Sequence, residues 1–77
     1  MVFHRYKNFA HTSGVTAYEI GNDYIKVEFV DGPIYVYNHA IPGPGEVEQM
    51  KKLARDGRGL STFISRNVRD KYASRLR

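Results

Sequence analysis

The sequence contains no cysteine among its 77 residues. That absence excludes a disulfide framework, a zinc site built on thiolates, an iron–sulfur cluster and a cysteine nucleophile. No run of 18 apolar residues occurs either, and the N-terminus lacks the basic-then-apolar order of a signal peptide. These absences predict a soluble cytoplasmic protein that does not associate with a membrane.

Recognisable catalytic motifs are also missing. The three histidines, His4, His11 and His39, lie in separate segments, without an i, i+4 pair or a carboxylate at metal-ligand spacing. Neither Gly-x-Ser-x-Gly nor Gly-x-x-x-x-Gly-Lys occurs. A chain this short also has little core to spare for a deep enclosed cavity. We therefore expect a protein that is not an enzyme and that binds no metal or other cofactor.

The residues that are present resemble those of an ordinary folded protein. Hydrophobic residues make up 42% of the chain and charged residues 26%, which is typical of a globular domain. The length predicts a single domain over residues 1–77. Within it, residues 1–12 lack a clear period and are expected to form an irregular lead-in, and residues 73–77 a basic tail.

Positive charge is concentrated in the second half of the chain. Residues 1–45 carry three basic and four acidic residues, whereas residues 46–77 carry nine basic and four acidic residues, a net charge of +5. Such asymmetry can mark a surface for nucleic acid or another acidic partner. The ordinary alternative is that these cations complement helix dipoles and solvate the surface.

Three segments have the pattern of β-strands. Val15 to Ile20 is rich in β-branched and aromatic residues, and Tyr24 to Val30 alternates apolar with charged side chains. Asp31-Gly32 is a hairpin signal, and Ile34 to Tyr37 follows it as a third strand. The order predicts a three-stranded antiparallel meander.

Two segments have the pattern of helices. From about Pro44 to Asp56, apolar residues recur every three or four positions, with acidic residues early and basic residues late. Gly57 is a natural residue for the end of this helix. Ser61 is expected to cap a shorter helical segment whose apolar stripe is Ile64, Val68 and Tyr72.

These elements predict an α+β fold: a three-stranded antiparallel β-meander followed by one amphipathic helix and a shorter second helical segment, packed on one face of the sheet. The expected core consists of the apolar residues on the inward faces, which are Ile25, Val27, Phe29, Val47, Met50, Leu53, Ile64 and Val68.

The register of the hairpin determines where Tyr35 and Tyr37 point. A two-residue turn at Asp31-Gly32 would pair Val27 with Val36 and leave both tyrosines on the outer face. A three-residue loop with a left-handed Gly32 would instead pair Val27 with Tyr35 and turn both rings toward the core. The residues alone leave the two registers open.

The ordered set of features resembles the KTSC domain from about Thr12 to Tyr72. The residues that carry the resemblance are Ile25-x-Val27-x-Phe29, Asp31-Gly32, Tyr35-x-Tyr37, Ile41-Pro42 and Phe63-Ile64 followed by Val68-Arg69-x-x-Tyr72. This domain is named from its place at the C-terminus of some lysyl-tRNA synthetases and also occurs as a free-standing small bacterial or phage protein. The resemblance implies the predicted fold, inward-facing tyrosines and RNA binding, the last being only a suggestion attached to the family. The sequence departs from the family pattern at Val36, Ser61 and Ser65.

The candidate site is a nucleic-acid-binding surface on the second helical region. The charges would come from Arg58, Arg66, Arg69 and Lys71, and Tyr35 or Tyr37 would stack on bases. The expected partner is RNA or another polyanion. The alternative is a protein–protein interaction module that docks through an edge strand or a helix face, with a second copy as one such partner.

Overall fold

A computed structural model describes residues 3–7, 14–30, 32–68 and 71–76. Within these ranges the elements are β1 His4–Arg5, β2 Val15–Ile20, β3 Tyr24–Phe29, β4 Ile34–Asn38, α1 Pro44–Asp56, α2 Leu60–Phe63 and β5 Ser74–Arg75. A π-helical turn, Ile64–Val68, follows α2 directly. The chain therefore has the predicted α+β architecture, with an antiparallel sheet and two helices.

The described sheet has five strands in the order β1-β2-β3-β4-β5, so the predicted number of three strands is wrong. The predicted meander forms its centre. The two additional strands have two residues each and lie at the edges, inside the segments expected to be a lead-in and a tail. Backbone pairing holds both strands. Next to β1 the amide of Tyr6 donates to the carbonyl of Thr16 at 2.9 Å, and on either side of β5 the amides of Ala73 and Leu76 donate to Val36 and Ile34 at 2.7 Å. Strands of two residues are too short to show a period of two.

The β3–β4 hairpin adopts the register with the three-residue loop. Val27 pairs with Tyr35 and Ile25 with Tyr37. The amide of Phe29 donates to the carbonyl of Pro33 at 2.9 Å. Gly32 has φ +107°, a conformation that residues with a side chain rarely adopt. Both tyrosines consequently turn toward the core, as the family resemblance implied; Asp31 of the predicted turn lies outside the described residues.

A bulge in β2 brings its first residue onto the core face. Val15 pairs with Phe29 and Ala17 pairs with Glu28, so Thr16 is an extra residue in the strand. Its hydroxyl donates to the backbone oxygen of Glu28 at 3.2 Å. Without the extra residue, Val15 would point to the outer face of the sheet.

Helix α1 has the predicted bounds and the predicted end. Pro44 opens the helix, where its missing amide hydrogen costs nothing. Gly57 ends it in the left-handed conformation with φ +78°, and its amide donates to the carbonyl oxygens of Leu53 and Ala54. Val47, Met50 and Ala54 are buried on the inward stripe, together with Lys51.

The second helical segment differs from the prediction at both ends. Gly59, not Ser61, precedes the first helical residue, so Ser61 lies inside α2 and does not cap it. The described helical structure stops at Val68, and Tyr72 lies in irregular chain. The reason is that the backbone from Ala73 onward bonds to β4, which draws the chain away from the helix axis and onto the sheet edge.

Most of the predicted core is confirmed. Six of its eight residues are buried, and Phe29 and Leu53 are half-buried against them. The core also contains residues that the prediction missed, which are Tyr6, Val15, Tyr37, Ala54 and Leu60. Two of these, Tyr6 and Leu60, come from segments without a helical or strand period, so their burial depends on tertiary packing.

Candidate nucleic-acid interface

The two tyrosines proposed for stacking have different environments. Tyr37 is only 1% exposed and packs inside the core cluster. Its ring has no face open to a base, so its predicted stacking role is wrong. Tyr35 is half-buried and lies at the margin of the core, which leaves part of its side chain accessible.

Three of the four predicted cationic residues lie in described chain, and all three are exposed. Arg58 lies in the turn between α1 and α2, Arg66 lies in the π-helical turn, and Lys71 follows that turn. Seven residues lie between the two arginines, and those from Leu60 onward are helical, with a rise of about 1.5 Å per residue. Arg69 lies outside the described residues.

A cluster of flat side chains forms around Tyr35. The ring of Tyr72 lies beside it, tilted by 45° with a centroid separation of 4.6 Å, and the guanidinium carbon of Arg75 is 5.7 Å from the Tyr35 centroid. Phe29 meets Tyr35 edge-on at 5.7 Å, and Tyr37 meets Tyr72 edge-on at 6.5 Å. We call Tyr35, Tyr72 and Arg75 the planar cluster. A cation over an aromatic face is a favourable electrostatic contact.

The sequence did not reveal that Tyr72 and Arg75 belong to this cluster. Tyr72 was expected on a helical stripe and Arg75 in a tail. Pairing of β5 with β4 places Arg75 opposite Tyr35, and a two-residue strand gives no periodic signal. The structure thus places Tyr35 next to the basic C-terminal segment that runs from Lys71 to Arg75.

A second polar cluster surrounds Lys51, which is 4% exposed. Its ammonium donates to the carbonyl oxygen of Asn22 at 2.9 Å and lies 2.8 Å from Glu48 Oε2. The same carboxylate oxygen is 2.9 Å from His39 Nε2. The Lys51 ammonium, and secondarily His39, hold the pKa of Glu48 below its usual value. This cluster ties the β2–β3 turn, the β4–α1 connection and α1 together.

A third polar cluster lies on the outer face of the sheet. Glu19 is buried, and its Oε2 accepts a 2.7 Å hydrogen bond from the hydroxyl of Tyr24. The ammonium of Lys26 is 3.5 Å from the same oxygen. The hydrogen bond to Glu19 raises the pKa of Tyr24. These contacts satisfy the buried carboxylate within the protein, so the cluster is a structural feature.

The described residues contain no group of three His, Cys, Asp or Glu side chains placed to share a metal ion. None of the described helices has the length and apolarity that crossing a bilayer requires. A comparison with known proteins finds no matching family model, no matching curated protein and no matching solved structure.

Proposed function

We propose that this domain is a non-enzymatic nucleic-acid-binding module, with RNA as its partner. The observation that carries the proposal is that the C-terminal part of the chain contains the exposed cations and also Tyr72 and Arg75, which form the planar cluster with Tyr35. We assign the contacts with phosphate to Arg58, Arg66, Lys71 and Arg75. The resemblance to the KTSC domain stays a prediction and is consistent with this function.

The charge distribution supports binding to a polyanion. Residues 46–77 carry the net +5, and the rest of the chain is slightly acidic, so the excess of basic residues is confined to the second half of the sequence. Contacts with phosphate release condensed counterions, and the affinity therefore falls with salt concentration. Four phosphate contacts on a single strand give a log–log slope of about −3, which is a roughly 50-fold loss of affinity between 50 and 200 mM salt.

The test is a fluorescence anisotropy titration of labelled RNA at several salt concentrations. Arg58→Ala and Arg66→Ala should each weaken binding and make the salt slope about 0.7 less steep. Lys52→Ala is the matched control because Lys52 is an exposed cation on α1 to which no phosphate contact is assigned. Its removal should leave the affinity within about twofold, since an exposed ion pair such as that of Lys52 with Asp56 contributes little.

Two results would contradict this function. One is the absence of binding at tens of micromolar protein in low salt. The other is binding whose affinity does not change with salt concentration, or that weakens as much in Lys52→Ala as in Arg58→Ala and Arg66→Ala. Neither outcome is compatible with phosphate contacts from the assigned residues.

A protein-interaction module is the second candidate. Val30, which directly follows β3, is 70% exposed, and Leu76 is 55% exposed. The amide of Leu76 bonds to Ile34, so both apolar side chains belong to the hairpin end of the sheet. The edge strands themselves favour docking less, since they are short and carry Arg5 and Arg75, and charged short edges usually prevent strand addition. Light scattering from about 10 µM to 1 mM tests self-association, and a constant monomer mass would exclude a homodimer.

A further inference from the structure

We infer that the proposed site prefers unpaired RNA to duplex RNA, because the planar cluster gives an unpaired base a surface on which to stack. The inference rests on the proposed nucleic-acid binding and adds the class of ligand. It depends on two residues, Tyr72 and Arg75, whose contacts appear only in the folded chain.

The planar cluster has the chemistry that single-stranded binding sites use. Unpaired bases stack on aromatic rings and on the plane of an arginine guanidinium. Here the Arg75 guanidinium lies over the Tyr35 ring and Tyr72 lies 4.6 Å from the same ring. Arg75 is exposed and both tyrosines are half-buried. An incoming base can extend this arrangement or replace the guanidinium on Tyr35.

The sheet and the core hold the cluster in position. The backbone amides on either side of β5 donate to β4 at 2.7 Å, which fixes Arg75 opposite Tyr35. The ring of Tyr72 packs edge-on against the ring of the buried Tyr37. A platform whose parts are already ordered loses little side-chain entropy when a base binds. Lys71, adjacent to Tyr72 in the chain, is exposed and can contact the flanking phosphate.

Charge alone would produce the opposite preference. A duplex has a higher density of phosphate charge than a single strand and releases more counterions per contact. A surface that binds only phosphates should therefore bind duplex RNA at least as tightly as single-stranded RNA. In a duplex the faces of the bases are covered by their neighbours, and the platform has nothing to stack on. A preference for single strands is thus evidence for stacking.

The experiment compares a labelled twelve-nucleotide oligouridylate with a labelled twelve-base-pair RNA duplex under the same salt conditions. We expect the oligouridylate to bind more tightly by about fivefold or more, the effect of at least one stacked base. Tyr72→Leu should weaken binding of the oligouridylate by about 5- to 150-fold and binding of the duplex by less than about twofold. Tyr18→Leu is the matched control because Tyr18 is a half-buried tyrosine on β2, where it pairs with the opposite edge strand.

Arg75→Lys provides a second variant that does not depend on the core. Arg75 is exposed, and lysine keeps its charge but loses the flat guanidinium. We expect weaker binding of the oligouridylate and unchanged binding of the duplex. Ring-proton signals of Tyr35 and Tyr72 should also shift when the oligouridylate is added. The stacking inference would be overturned if Tyr72→Leu and Arg75→Lys each bound the oligouridylate and the duplex with wild-type affinity.

The possible failures can be told apart. Equal or tighter binding of the duplex, with loss of affinity in Arg58→Ala and Arg66→Ala, would refute the preference for unpaired RNA and leave the phosphate-binding function intact. Failure of both RNAs to bind in low salt would refute the proposed function and the inference together.

Discussion

Replacing Tyr6 by phenylalanine tests how the N-terminal segment supports the second helical region. Tyr6 is 3% exposed, and its hydroxyl accepts a 3.3 Å hydrogen bond from the backbone amide of Leu60. Leu60 is the first residue of α2, and Gly59 before it offers no side chain as a cap. The first amides of a helix have no partner within the helix. A hydroxyl 54 residues away in the chain thus acts as the cap.

The magnitude follows from the burial of this amide. Tyr6→Phe removes the acceptor and leaves the Leu60 amide without that partner, next to a side chain that is fully buried. Such a loss costs about 1–3 kcal/mol. A donor–acceptor distance of 3.3 Å is longer than the usual value of about 2.9 Å, so we expect a loss near the low end, about 1 kcal/mol. For a domain of this size, 1 kcal/mol lowers Tm by about 4–8 °C.

Urea denaturation followed by circular dichroism measures the free energy of unfolding. Amide hydrogen exchange of Leu60, read by NMR, should also become faster in Tyr6→Phe. Tyr18→Phe is the matched control, since no described residue forms a hydrogen bond with the Tyr18 hydroxyl. The capping role is refuted if Tyr6→Phe is as stable as this control to within about 0.3 kcal/mol, or if Leu60 exchanges at the wild-type rate.

Three further predictions concern charge and pH. Lys51→Met should lower the free energy of unfolding by about 1–2 kcal/mol in urea denaturation because it removes a buried charged donor, whereas Lys52→Met, at an exposed site, should change it by less than about 0.5 kcal/mol. The pKa of Glu48 is lowered in the folded state, so its contribution to the free energy of unfolding is present above the unfolded pKa of 4.5 and disappears as the pH falls through the folded pKa. The difference in free energy of unfolding between the wild type and Glu48→Gln should therefore become smaller on acidification. Burial raises the pKa of Tyr6 in the folded state, so the contribution of this group to the free energy of unfolding is complete below about pH 10 and is lost as the pH rises further. Above pH 10, the free energy of unfolding of Tyr6→Phe should therefore fall less steeply than that of the wild type. Parallel pH profiles of the two proteins would contradict this prediction.

The parts of the fold that were predicted correctly have strong local signals. The bounds of α1 follow from thirteen residues of helical period between a proline and a left-handed glycine. The alternation in β3 predicts the burial of Ile25 and Val27, which are fully buried. In each case several residues independently indicate the same element, so no tertiary information is needed.

The parts that were not predicted depend on contacts between distant residues. Lys51 has the expected place for a cation near the end of α1, but its burial follows from the approach of the Asn22 carbonyl in another turn. Tyr72 continues a spacing of four from Ile64 and Val68, yet the chain leaves the helix because β5 pairs with β4. Periodicity gives the number of apolar faces in a segment, but it cannot show where backbone pairing with a distant strand interrupts the segment.

The candidate interface could be predicted only as a set of charges. Arg58, Arg66 and Lys71 are exposed as expected, because a cation in a short basic segment usually remains in solvent. The tyrosine register was the undecided point, and the observed register removes Tyr37 as a stacking residue while moving Tyr35 to the margin of the core. Arg75 then completes the planar cluster because β5 places it opposite Tyr35.

The segments at either end of the chain therefore position the proposed interface, although neither has a sequence period. Tyr6 holds the start of α2, which leads into the turn that carries Arg66. β5 holds Arg75 over Tyr35. If positioning is the role of Tyr6, a change there should act on binding through the orientation of the second helical region. Tyr6→Phe should then weaken binding of both RNAs to a similar extent, whereas Arg75→Lys should weaken binding of unpaired RNA alone, because only the second change affects stacking.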